Sequence, residues 1–399
     1  MRIRSIVPPP LWEKMRFFKA WCKRTTFRFF WLFPMDPDKI VFDNYYGKGY
    51  GDNPKAIADE FAQRGKGKLY WLYDGTNSTF PAYICPLKEK SLRACYHLAT
   101  AGVWIDNCRK EPYYAKRKSQ FYLQTWHGSI SLKRIEKDAE SVLEHFYVES
   151  AKRDSRMADL MLSNSSFADN MFQNSFWYAG EVRRFGSPRL DSQFHHDLRF
   201  SVREKLGVDE KELILLYAPT FRLSHSGDAY DVDFDRVTQL LREKTGKNVT
   251  VLIRLHPNLS RNHLTVVCAR SLDVSAHPDV YELMSASDVL ITDYSSLMFE
   301  FPIAEKKPVF CYAKDLEQYD RGFYFDLKAL PFSFSRSNQE LIEDIRTFDQ
   351  KKYEEKLSAF YSELELCEDG NAAKRTVDYL LEKTNVGQHN IPKQRRHRA

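Results

Sequence analysis

The stretch Leu213–Arg222 reads LILLYAPTFR, an unbroken apolar run closed by proline and then polar residues. A run this short, apolar on consecutive positions, suits a strand buried on both faces, as parallel sheets require. Val249–Leu255 (VTVLIRL), Val289–Thr292 (VLIT) and Pro308–Cys311 repeat the pattern, with amphipathic helices expected at Phe234–Lys244 and Val280–Ser285 and another opening at Ser295–Phe301. An earlier series precedes it. Strands are expected at Lys39–Phe42, Leu69–Tyr73, Gly102–Asp106, Phe121–Thr125, Leu160–Ser163 and Glu181–Phe185, with helices at Pro54–Arg64 and Leu92–Thr100. Two β/α series predict two mostly parallel sheets, each covered by helices. The boundary falls near Gly186–Asp197, where Pro188 interrupts the pattern.

The chain has 399 residues, long enough for two domains, and its 43% hydrophobic and 14% aromatic content excludes a largely disordered protein. A net charge of +6 is too small an average to imply nucleic acid. Seven separate cysteines without a C-x-x-C pair argue against a disulfide framework or a zinc site, and favour a reducing, cytoplasmic setting. No run of roughly eighteen uncharged apolar residues is present to span a bilayer.

Leu11–Phe33 (LWEKMRFFKAWCKRTTFRFFWLF) carries Lys14, Arg16, Lys19, Lys23, Arg24 and Arg28 against a single acid, Glu13. On a helix, Leu11, Met15, Phe18, Cys22 and Phe29 share one face, and Trp12, Trp21 and Trp31 add rings suited to lipid headgroups. This composition predicts a helix lying in an anionic membrane surface. Its rival is a helix packed into the core with solvated cations. The basic tail Lys393–Ala399 is expected to be disordered.

Ligands of open α/β sheets bind at the carboxyl ends of the strands. Here those positions hold His127 with Gly128, Thr220 with Arg222, Arg254 with His256, and Asp293 with Ser295 and Ser296. Imidazoles, guanidinium groups and paired hydroxyls suit a phosphate or pyrophosphate. His127 reads as a general base or as an anchored strand-end histidine. Ser295 and Ser296 read as helix caps that would also grip phosphate. Gly47-Lys48-Gly49 lacks the spacing of a phosphate loop, and Asp231, Asp233 and Asp235 are taken as structural.

As a set, these motifs resemble the CDP-glycerol glycerophosphotransferase family, from about Lys39 to about Arg375. The resemblance is carried by Phe42–Asn53 with Pro54-Lys55-Ala56-Ile57, Gln124–Gly128, Gly186-Ser187-Pro188-Arg189 with Asp191, and Tyr217–Arg222. It continues through Arg254–Pro257, Asp288–Ser296, Arg321–Asp326 and Asp369–Ala372. It implies an α/β, GT-B-like fold of two facing Rossmann-like domains. Residues 1–35 would be the membrane-contact segment, 36–195 the acceptor domain, 196–385 the CDP-polyol domain, and 386–399 the basic tail. It implies His127 as base and His256 by the pyrophosphate, both catalytic. Gly128, Thr220, Arg222, Arg254, Asp293, Ser295 and Ser296 would bind substrate, without metal or cofactor.

The activity implied is transfer of polyol phosphate from CDP-glycerol or CDP-ribitol, with release of CMP. The acceptor would be an undecaprenyl-linked saccharide or growing phosphopolyol chain on the cytoplasmic membrane face, in teichoic acid synthesis. Leu330-Pro331-Phe332-Ser333 departs from the family's usual Pro-Gly-Pro, so the polyol is open, as is oligomeric state. The rivals are a nucleotide-sugar glycosyltransferase of the same architecture, which would release a diphosphate, and a non-catalytic membrane-surface protein.

Overall fold

The computed structural model describes residues 9–76, 79–220, 227–255, 268, 270–318 and 322–388. Two parallel sheets organise it. The first runs through β1 (Asp36–Asp43), β2 (Lys68–Tyr73), β3 (Ile84–Lys88), β4 (Ala101–Asp106), β5 (Phe121–Gln124), β6 (Leu160–Ser163) and β7 (Glu181–Arg184). Its spatial order is β3-β2-β1-β4-β5-β6-β7. The second contains β8 (Leu213–Tyr217), β9 (Val249–Ile253), β10 (Ser271–Asp273), β11 (Val289–Thr292), β12 (Val309–Tyr312) and β13 (Ser333–Ser335), ordered β10-β9-β8-β11-β12-β13. Each sheet reverses direction beside its first strand, which is the Rossmann arrangement. Ile40 pairs with Leu69 on one side and Val103 on the other, and the β1–β4 register shifts between Asp36 and Ile40. All five residues of β8 are buried, as its uninterrupted apolar sequence requires.

Side chains fix the helix starts. Ser91, Ser165, Asp233 and Ser337 each accept a backbone N–H from the first turn. Asp233 is therefore a cap, and Asp231 pairs with Tyr312 and Lys314. Gly47 has φ +83°, and a Cβ there would lie 2.6 Å from the Asp74 amide. A tight turn explains that glycine.

The expected 196–385 unit is corrected by the last helix. Ala372–Lys383 leaves the second lobe and packs on the first, placing Val377 and Leu380 in a core with Ile40, Phe42, Ile57 and Trp71. The Gly387 amide then bonds Asp38 Oδ1 at 2.6 Å. The apolar stripe of that helix finds its partner surface across the lobe boundary. Leu330 and Phe332 are buried in the second-lobe core and lead into β13.

The N-terminal helix α1 (Pro9–Arg28) continues as a short 3-10 turn, Phe29–Leu32. It docks through Ala20 and Phe27, through Phe17 against Phe146, and through an Arg16–Glu144 ion pair at 2.8 Å. Leu11, Met15, Phe18, Trp21, Phe29 and Leu32 stay exposed, Phe18 by 65% and Leu32 by 77%. A contiguous apolar face left in the open marks a contact surface. Among the described residues, no helix is long and apolar enough to cross a membrane. The tail 389–399 lies outside the described residues.

Candidate active site

In both sheets the reversal of strand order leaves a crevice at the carboxyl ends, between β1 and β4 and between β8 and β11. The two crevices face each other. Gly128 follows β5, and a Cβ on it would sit 3.6 Å from Ser296 Oγ, which follows β11. Two of the expected site positions, 168 residues apart in the chain, thus meet across the lobes.

His127 is held from three directions. Its Nδ1 lies 2.7 Å from the Asn107 carbonyl, its ring stacks on Trp126 at 4.2 Å between centroids, and Tyr45 packs at 5.4 Å. A carbonyl only accepts, so Nδ1 carries the proton and Nε2 keeps its lone pair. Burial pushes the imidazole pKa below its ordinary value, partly opposed by the Asn107 hydrogen bond. The ring is therefore neutral near pH 7, as a base must be. Asn107 is fixed in turn: its Nδ2 donates to Asn44 Oδ1 at 2.7 Å, and its Oδ1 accepts the Tyr45 amide at 2.9 Å.

On the opposite lobe, Asp293 is buried and its carboxylate accepts the amides of Thr220 and Tyr294. That pairing lets Asp293 and Thr220 brace the ends of β8 and β11. The two serines differ. Ser295 Oγ accepts the Leu297 amide at 3.3 Å, whereas Ser296 makes no capping bond and turns toward Gly128. Arg254 is partly buried after β9, donates to the His277 carbonyl at 2.6 Å, and has its pKa lowered chiefly by burial. Arg222 and His256 lie outside the described residues.

One group at the crevice was not singled out from sequence. Arg189, in the turn Pro188–Phe194 between the lobes, reaches Asp52 Oδ2 at 3.0 Å and Glu300 on the other side. Tyr45 donates its hydroxyl to the same Asp52 oxygen at 3.0 Å, and Tyr281 donates to Glu300 at 3.1 Å. Asn53 accepts the Arg189 amide and donates to the Trp126 carbonyl. Arg189, Asp52, Asn53 and Glu300 are all buried. The only sequence signal was an arginine inside the Gly-Ser-Pro-Arg segment. Lys55 adds an ion pair between lobes, at 3.0 Å from Asp279. Among the described residues, no group of three or more His, Cys, Asp and Glu is arranged to hold a metal ion.

Two facing Rossmann-like lobes with a neutral histidine and a hydroxyl-lined crevice between them define a GT-B-like transferase. Residues 25–382 match the family model described as CDP-Glycerol:Poly(glycerophosphate) glycerophosphotransferase, and the chain belongs to that family. It is 30% identical over 376 residues to the teichoic acid poly(glycerol phosphate) polymerase of Bacillus spizizenii, covering 89% of this chain and 95% of that protein. It is 29% identical over 384 residues to the teichoic acid glycerol-phosphate transferase of Staphylococcus aureus, covering 90% of this chain and 96% of that protein. A solved structure of the wall teichoic acid polymerase TagF superposes with a TM-score of 0.80 at 26% identity, covering 96% of this chain and 98% of that one. A histidine-to-asparagine variant of TagF, soaked with CDPG, superposes with a TM-score of 0.78.

Proposed function

We propose that this protein transfers glycerol phosphate from CDP-glycerol to an acceptor hydroxyl in teichoic acid synthesis, releasing CMP. The acceptor hydroxyl gives its proton to His127 Nε2, and its oxygen bonds to the phosphorus bearing glycerol. The bond from that phosphorus to the oxygen of CMP breaks, leaving a phosphodiester. Such transfers depend on positioning and on charge stabilisation around the phosphoryl group. Ser295, Ser296, Arg254 and the Gly128 backbone supply the crevice. Arg222, from its place after β8, and His256, by the family resemblance, hold the pyrophosphate. No metal or cofactor takes part in this scheme.

The observation that carries the reading is His127, with Nδ1–H committed to the Asn107 carbonyl and Gly128 beside it facing Ser296. The acceptor in this proposal is an undecaprenyl-linked saccharide or a phosphopolyol chain. It is presented at the cytoplasmic membrane face, where the outward stripe of α1 meets anionic lipid.

The test incubates the full chain with CDP-glycerol or CDP-ribitol and a lipid-linked acceptor, and follows CMP. Acceptor-dependent CMP release from CDP-glycerol is expected. His127→Ala lowers kcat by about a hundred- to ten-thousand-fold, with CDP-glycerol affinity little changed. Release from CDP-ribitol alone would reassign the polyol, and full turnover by His127→Ala would remove the base.

A further inference from the structure

His127 also lines a cavity of about 330 Å³ inside the first lobe, on a wall distinct from the Gly128–Ser296 contact. Its size lies within the ordinary range for small-ligand sites. Tyr45, Tyr46, Trp126 and Tyr147 supply aromatic walls, while Arg109 and Glu136 lie at the buried end. Val142, 61% exposed, and Arg134 form the rim.

The charges at the buried end are already spent. Arg109 pairs with Glu136 at 2.7 Å and with Asp154 at 3.3 Å, and the Tyr147 hydroxyl donates to Glu136. A charged guest would find no counter-ion there, whereas the hydroxyls of a neutral one need only hydrogen-bond partners, and the buried Arg109 Nε makes no hydrogen bond among the described residues. The Tyr46 hydroxyl has no hydrogen-bond partner among the described residues, and aromatic faces with a polar tip suit a hydroxylated ligand. At the rim the contact resolved for the Arg134 side chain is to the Phe323 carbonyl, at 3.4 Å, and no carboxylate faces it among the described residues.

The backbone adds an independent sign. Tyr45, Tyr46, Trp126 and Glu136 have φ of 45°, 60°, 53° and 53°. Non-glycine residues rarely adopt this left-handed region, and where they do so together the strain gathers at functional sites. In-line phosphoryl transfer requires the attacking oxygen and the leaving group on opposite sides of phosphorus. With the donor in the crevice by Ser296, the attacking hydroxyl approaches phosphorus from the side opposite CMP, next to His127.

We propose that this cavity receives the acceptor's terminal polyhydroxyl unit, a neutral sugar or glycerol, with the next phosphate along the chain at Arg134. The inference rests on the transferase reading above. Its test measures KM for two acceptors, a lipid-linked disaccharide and the same lipid carrying one glycerol phosphate, with CDP-glycerol affinity read separately by calorimetry. Val142→Trp, which fills the rim from an exposed position, raises acceptor KM at least about tenfold and leaves donor affinity unchanged. Tyr46→Phe, which keeps the ring and removes the hydroxyl, raises acceptor KM in the same sense and guards against a misfolded first variant. Arg134→Ala raises KM for the phosphate-bearing lipid alone if that phosphate sits at the rim; equal KM for both lipids in that variant and in the parent overturns the phosphate contact. Unchanged acceptor KM in Val142→Trp and Tyr46→Phe overturns the cavity assignment. Failure of the parent to release CMP would instead refute the transferase reading.

Discussion

Arg189→Met tests the charge bridge that joins the lobes. The guanidinium stands between Asp52 and Glu300, both buried, and methionine fills similar length without charge. Two carboxylates would then sit in the interior without a counter-ion. Removing one partner of a buried pair costs about 3–5 kcal/mol. At about 2–4 °C per kcal/mol for domains of ~150–250 residues, melting falls by roughly 6–20 °C. Adding Asp52→Asn and Glu300→Gln removes the orphaned charges, so the triple variant regains most of that loss. Turnover falls as well, because Asp52 also holds the Tyr45 hydroxyl and the Tyr45 ring packs on His127. Calorimetry of the three chains at pH 7, with CMP release at saturating CDP-glycerol, reads both effects. Melting of Arg189→Met within about 2 °C of the parent would refute the bridge as a stabilising element.

The kinetic acid limb should report His127. Its pKa is depressed by burial, so the neutral base persists below the ordinary histidine value of about 6.5 and kcat/KM declines only as pH falls further; a limb above that value would contradict the assignment. Stability moves in the same direction, since a depressed histidine contributes above the unfolded pKa and loses its contribution as pH falls through the folded one. His97, lowered to about 4 by burial, adds to that loss, so kinetics and not melting isolates His127. Glu368 behaves oppositely. Burial raises its pKa to about 8, so its contribution is present below the unfolded carboxylate value and is lost as pH rises through about 8. Urea denaturation from pH 5 to 9 should show Glu368→Gln removing that decline, and parallel curves would refute it. Phe18→Glu with Leu32→Glu alters only exposed side chains of the N-terminal segment. Co-sedimentation with anionic vesicles should drop while melting is unchanged; undiminished sedimentation would exclude this face as the lipid contact.

The interior strands were legible because burial on both faces leaves an apolar run. Leu160–Ser163, Leu213–Tyr217 and Val289–Thr292 have the bounds that their sequences indicate. The strands that were not read, Ile84–Lys88, Ser271–Asp273 and Ser333–Ser335, are all sheet edges. An edge strand has fewer neighbours to satisfy, and the first of these tolerates Pro86 for that reason. The helix Ala372–Lys383 was assigned to the wrong lobe because an apolar stripe records that a helix is covered, not by which surface. Arg189 went unread for a similar reason: its partners stand 137 and 111 positions away.

His127 shows how strand order creates chemistry that its own segment does not encode. Thr125-Trp126-His127-Gly128 reads equally well as a base or as an anchored strand end. The Asn107 carbonyl at the end of β4 fixes the proton on Nδ1, which leaves the Nε2 lone pair free to accept one. Asn107 is itself fixed by Asn44 and Tyr45 at the end of β1. Because β1, β4 and β5 are consecutive in the sheet, their carboxyl-end loops lie side by side, and each orients the next. A different order with the same segments would leave the imidazole free to choose its tautomer. The tautomer therefore belongs to the topology as much as to the residue, and the reversal of strand order beside β1 is what gives the loops room to meet.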